Sequence, residues 1–168
     1  MAHDELDISQ LSVYLNDHLA GAIAALELIE HLGKNHPDTD LEMFCAELHA
    51  EVSADLDVLR DLLHTFDEKE SAVRKAGAWV AEKLGRVKLG LSGNDATGTG
   101  LLEGLDGLIL GITGKRFLWR ALAAAAETIP QLRGPDYPTL EQRAVEQRDR
   151  VDARRLAVAR EAFRRREE

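Results

Sequence analysis

The sequence predicts an all-α fold, a single antiparallel four-helix bundle with one additional short amphipathic helix in its central connection. Three observations carry that expectation. Aromatic residues make up 5% of the 168 residues and there are 4 Pro, while 45% are apolar and 30% charged. Ala, Leu, Glu and Arg dominate, a mix that favours helix over strand. Apolar residues recur at intervals of three and four through most of the chain, which is the helical period. The length suits one ordinary domain over 1–168 with a real core.

The first helix is expected over about 7–33. Asp7 with Gln10 has the spacing of a capping pair, and Gly33 stands where helices commonly stop. From Leu19 to Ile29 this segment is apolar nearly all round apart from Glu27, so it should be covered on several sides. The turn Asn35-His36-Pro37-Asp38 follows, and Thr39 with Glu42 forms a capping box that opens a second helix over about 40–66. Leu41, Phe44, Cys45, Leu48, Val52, Leu56, Leu59, Leu62, Leu63 and Phe66 mark its buried face. A link this short folds the two into an antiparallel hairpin.

A short helix is expected over about 71–91, with Val73, Gly77, Val80, Leu84, Val87 and Leu91 on one side. Arg74, Lys75, Lys83, Arg86 and Lys88 stand on the other. Such a basic amphipathic segment can rest on an anionic membrane surface, but docking on the protein's own acidic half is the plainer reading. Residues 92–100, SGNDATGTG, read as a flexible linker. They lack the Gly-Lys-Ser/Thr ending and the preceding strand of a phosphate loop.

The fourth segment, about 100–129, places Gly100, Gly104, Gly107, Gly111 and Gly114 on one helical face. Each glycine weakens a helix interior by roughly 0.5–1 kcal/mol, so close approach of another backbone is the expected compensation. That backbone belongs to the bundle or to the mate in a homodimer, and the helix should be buried from two directions. Pro130 stops it. After the turn Gly134-Pro135-Asp136-Tyr137-Pro138, Thr139 with Gln142 is expected to cap a last helix over about 139–165, rich in alternating Arg and Glu or Asp.

Charge is uneven. Residues 1–70 hold 17 acidic and 3 basic side chains; residues 71–168 hold 13 and 18. The two halves should face each other or a second copy, and the acidic half argues against a nucleic-acid partner. The single Cys45 excludes an internal disulfide and a Cys-built zinc site, and reads as core filling. The acidic N-terminal stretch lacks a signal pattern, and no apolar run spans a bilayer, so a cytoplasmic protein without integral membrane contact is expected.

Two polar side chains stand on apolar stripes. His18 lies among Leu11, Leu15, Ala22, Ala25 and Ile29, and Asp55 among Leu48, Val52, Leu59 and Leu62. A turn centred near residue 36 or 37 sets them opposite each other. A His–Asp pair that fixes helix register is the first reading; a metal or ligand site is the second. His49 shares a stripe with Cys45, Val52, Leu56 and Leu63.

The order of a two-helix hairpin, a long connection with its own short helix, and a second hairpin resembles the ferritin-like superfamily. The likeness is to its small bacterial stress-associated members and covers almost the whole chain. It implies a four-helix bundle and, in the family, a di-iron site built from a Glu on each of two helices and a Glu-x-x-His on each of the others. Here His3, His18, His31, His36, His49 and His64 all precede residue 65, and Glu-x-x-His does not occur. The expected function is therefore non-catalytic: an interaction or stress-associated structural bundle without cofactor. The alternative is an iron, manganese or zinc site, with possible redox activity, drawn from His18, His49, Asp55, Glu27, Glu103 and Asp106.

Overall fold

The computed structural model describes residues 8–66 and 99–164. Four long helices account for most of them: α1 Ile8–Lys34, α2 Asp40–Phe66, α3 Thr99–Ala125 and α4 Tyr137–Ala162, with a single 3-10 turn at Pro130–Leu132. No strand occurs among the described residues. The expected helix over 71–91 and the linker up to residue 98 lie outside them, as does Asp7.

The helix ends follow local chemistry. Between α1 and α2, Asp38 takes a positive φ of 60°, which Asp tolerates. The Glu42 N–H donates to Thr39 Oγ1 at 3.3 Å, while the Glu42 carboxylate accepts from the Asp38 N–H at 2.7 Å. The capping partners are those the sequence offered, with the return bond shifted by one residue. Two expected boundaries are corrected. The last regular turn of α3 ends at Ala125, not 129, because Ile129 precedes Pro130 and is held extended at φ -107° and ψ 98°. Arg133 then covers the end of α3, donating to the carbonyls of Ala126 and Glu127 at 3.1 and 3.2 Å. The cap of α4 is Asp136, not Thr139. The Asp136 carboxylate accepts from the Thr139 N–H at 3.1 Å and from its hydroxyl at 2.8 Å. That places Pro138 in the first turn, where its missing N–H costs nothing.

Directions follow from which residues meet. The start of α1 (Leu15, Leu19) shares a core cluster with the end of α2 (Leu59, Leu62, Leu63), the end of α3 (Leu118, Leu122) and the start of α4 (Leu140). The end of α1 (Ile29, Leu32) clusters with Leu48 of α2 and with Leu105 and Leu108 of α3. So α1 runs antiparallel to both α2 and α3, and α2 and α3 run the same way. Arg155 of α4 donates to Asp106 of α3 at 2.8 Å and Arg116 of α3 to Glu141 of α4 at 3.0 Å, which makes the second hairpin antiparallel too.

The core is one-sided for each helix. Leu19, Ala20 and Ile29 are buried, but residues 22–28 of α1 are only half-buried, less covered than the apolar run implied. On α3, Leu105, Leu108, Ile112, Leu118, Trp119 and Leu122 are buried while Leu110 is 74% exposed, so the helix is not buried from two directions among the described residues. Burial of each Leu or Ile of this kind is worth about 1.5–3 kcal/mol, and 17 such side chains are buried among the described residues.

Candidate ligand cavity

The glycines of α3 divide into two pairs. A Cβ on Gly104 would lie 3.0 Å from Leu32 Cδ2, and one on Gly107 would lie 3.5 Å from Leu28 Cδ2. These two permit close approach, and the approaching element is α1 of the same chain. Gly111 and Gly114 behave differently: a Cβ on either meets nothing within 4 Å. Among the described residues, then, these two glycines meet no packing partner. Gly100 is half-buried in the first turn of α3.

Continuing the Leu32–Gly104 and Leu28–Gly107 register toward the other end brings Gly21 of α1 opposite Gly114. Gly21 also has nothing within 4 Å of a Cβ. All three of these glycines line one cavity of about 230 Å³ between α1, α2 and α3. Exposed Gly21 and Gly111 lie on its rim, and buried Ile29, Leu56, Leu108 and Ile112 form much of its wall.

The polar wall is a network across three helices. Asp55 of α2 is 1% exposed and Gln147 of α4 is 0% exposed. Lys115 of α3 donates to Asp55 Oδ2 at 2.5 Å and to Gln147 Oε1 at 2.5 Å. Arg143 of α4 donates to Asp55 Oδ1. The Gln147 amide donates to Glu51 Oε2 at 3.1 Å, and Arg150 donates to the same oxygen at 2.5 Å. Long side chains thus bridge α2 and α4. Burial holds the Lys115 ammonium below the ordinary lysine range, opposed by the neighbouring Asp55 carboxylate.

His18 and Asp55 line the same cavity, as their register implied, but they do not form the expected pair. The Asp55 carboxylate is taken by Lys115, Arg143 and Gln147. The His18 ring instead stacks edge-on against Tyr14, with ring centroids 4.7 Å apart. Burial lowers its pKa, offset in part by Asp17. The physical reason for the change of partner is reach: Lys115 enters from α3 with a four-carbon stem and arrives already charged.

The other expected ligands disperse. His49 lines a separate hollow with Glu30, Glu42 and Cys45 at the α1–α2 junction. Asp106 is paired with Arg155, Glu103 is exposed, and Glu27 is half-buried on α1. Among the described residues no three His, Cys, Asp or Glu side chains gather to hold a metal ion. The ferritin-type iron ligands do not fit this arrangement, because the carboxylate nearest the centre, Asp55, already accepts from two cations, Lys115 and Arg143.

Lys115, Gln147 and Trp119 were not singled out by the sequence reading. The signal was present: Lys115 follows Leu108 and Ile112 at helical spacing, and Gln147 stands between Ala144 and Val151 on the buried stripe of α4. A polar residue at a core position on each of three helices is a network read one member at a time. Trp119 also lines the cavity; it is 1% exposed, and its indole N–H donates to no group among the described residues.

Comparison with family models, with curated proteins and with solved structures found no match to this chain. No helix among the described residues is long and apolar enough to cross a membrane.

Proposed function

We propose that this chain is a non-catalytic bundle of ferritin-like form that binds a small, mainly apolar molecule between α1, α2 and α3. The shared direction of α2 and α3 supports the ferritin-like part, since it calls for one long crossover between the hairpins. The binding part rests on one observation. Gly21, Gly111 and Gly114 each cost a helix interior roughly 0.5–1 kcal/mol relative to Ala, and among the described residues a Cβ on any of them would touch nothing within 4 Å. What they have in common is that they keep one cavity open. Retained instability at a concave apolar site is the usual trade of stability for binding. No activated nucleophile or acid–base pair lines the space. His18 stands against Tyr14 and not against Asp55, and Asp55 is saturated by donors.

The test is uptake of benzene, a neutral apolar probe. Benzene should raise the melting temperature of the wild type and leave that of Gly114→Leu unchanged, while the variant itself melts no lower than the wild type. Failure of the wild type to respond, or an equal response from Gly114→Leu, would remove this reading.

A further inference from the structure

The cavity wall offers hydrogen-bond donors and no spare acceptor at its buried end. The Asp55 carboxylate already accepts from Lys115, Arg143 and Gln147. Lys115 carries three N–H donors, of which two are used by Asp55 and Gln147. The Trp119 indole N–H is buried without a partner among the described residues. Lys115 and Trp119 are four residues apart on α3, neighbours on one face of that helix, and both line the same space.

Charge points the same way. At the inner end, one carboxylate (Asp55) faces two cations, Lys115 and Arg143, with side-chain exposures of 12% and 34%. Glu51 and Arg150 extend the network to three cations and two carboxylates, an excess of one positive charge, while the exposed Asp17 carboxylate lines the outer part of the same cavity. A ligand whose anionic group meets the Lys115 ammonium at the buried end adds a negative charge to a network that carries an excess of positive charge, which an equally apolar neutral one does not. The volume limits the body of that ligand. At about 30 Å³ per water molecule, 230 Å³ holds roughly eight waters, or a molecule of about eight non-hydrogen atoms.

We infer that the cavity takes a short aliphatic or aromatic monocarboxylate, its carboxylate received by the Lys115 ammonium and the Trp119 indole N–H, its apolar body against Ile29, Leu56, Leu108 and Ile112. A carboxylate has two charged acceptor oxygens, so it can serve both donors at once through charge-assisted bonds, which a neutral alcohol or a cationic ammonium does not. This rests on the cavity being a binding site; what it adds is the chemical class.

The experiment compares hexanoate with hexanamide, its neutral isostere, and with hexylammonium, by calorimetric titration of the full chain. Hexanoate should bind at least tenfold more tightly than hexanamide, and hexylammonium should not bind. Lys115→Met should abolish the preference for hexanoate and leave hexanamide binding in place. With Trp79 replaced by Phe, hexanoate should move the Trp119 indole N–H proton resonance downfield in the otherwise native chain. That arm stands even if Lys115→Met folds poorly. Equal binding of hexanoate and hexanamide would overturn the anionic class while leaving the cavity reading intact. If benzene and all three probes fail to bind, both proposals fall together.

Discussion

Lys115 and Asp55 meet at 2.5 Å near the centre of the bundle, although they stand 60 residues apart in the chain and on different hairpins. Their contact ties the α1–α2 hairpin to the α3–α4 hairpin at a point where the wall is otherwise apolar. Arg143 and Gln147 join from the fourth helix, so one carboxylate registers three helices at once.

Removing that carboxylate leaves two cations facing an apolar wall. Asp55→Ala is therefore expected to cost about 3–5 kcal/mol of folding free energy, the range for breaking a buried pair. Adding Lys115→Met to it should recover part of the loss, because the uncompensated charge goes and a similar volume stays. Urea denaturation of the two single variants and the double variant gives the coupling. A cost below about 1 kcal/mol for Asp55→Ala would show that the network contributes little.

His18 gives the fold a pH dependence of definite sign. Burial lowers its pKa below the ordinary histidine value of 6.5, with Asp17 opposing. The unfolded chain then binds the proton more readily than the folded one, so stability falls as pH drops below 6.5 and levels off once the pH passes the lower folded value. The stability difference between wild type and His18→Gln should shrink steadily from pH 7.5 to pH 5. A difference that is flat or grows on acidification would contradict this assignment.

The glycines should separate into two kinds on substitution. Gly114→Ala and Gly21→Ala meet open space and should each stabilise the chain by roughly 0.5–1 kcal/mol, the helix-propensity gain. Gly104→Ala gains the same propensity but presses on Leu32 Cδ2 at 3.0 Å, so its net effect should be smaller or reversed. Thermal melts of the three single variants decide the order.

Gly134 tests the turn between α3 and α4. Its φ of 131° is one that side-chain-bearing residues rarely adopt, and no neighbour crowds it. Gly134→Ala should lower stability by about 1 kcal/mol or more through backbone strain alone, measured by the same melts.

The four helices were legible in the sequence because their cause is local. The three-and-four spacing of Leu48, Val52, Leu56 and Leu59 is enough to define a helix and its buried face. Thr39 with Glu42 marked the start of α2 for the same reason, since a cap needs only its own turn. The error at Ala125 came from the reach of Pro130 back through Ile129. The difference at Asp136 arises because Asp136 and Thr139, three residues apart, are both residue types that cap well. The facing of His18 and Asp55 on one cavity followed from the short α1–α2 link.

What tertiary structure alone decided was which partner each polar group takes and where space is left. Asp55 stood on an apolar stripe for any reader of the sequence, but whether His18, Lys115 or Arg143 reaches it depends on side-chain length and on the separation of helices that meet only after folding. The same holds for the glycines. Gly104 and Gly111 are identical in their local pattern, and only the divergence of α1 from α3 makes one a contact and the other the rim of a cavity. Periodicity fixes which face of a helix turns inward. The distance between two inward faces is a property of all the side chains packed between them.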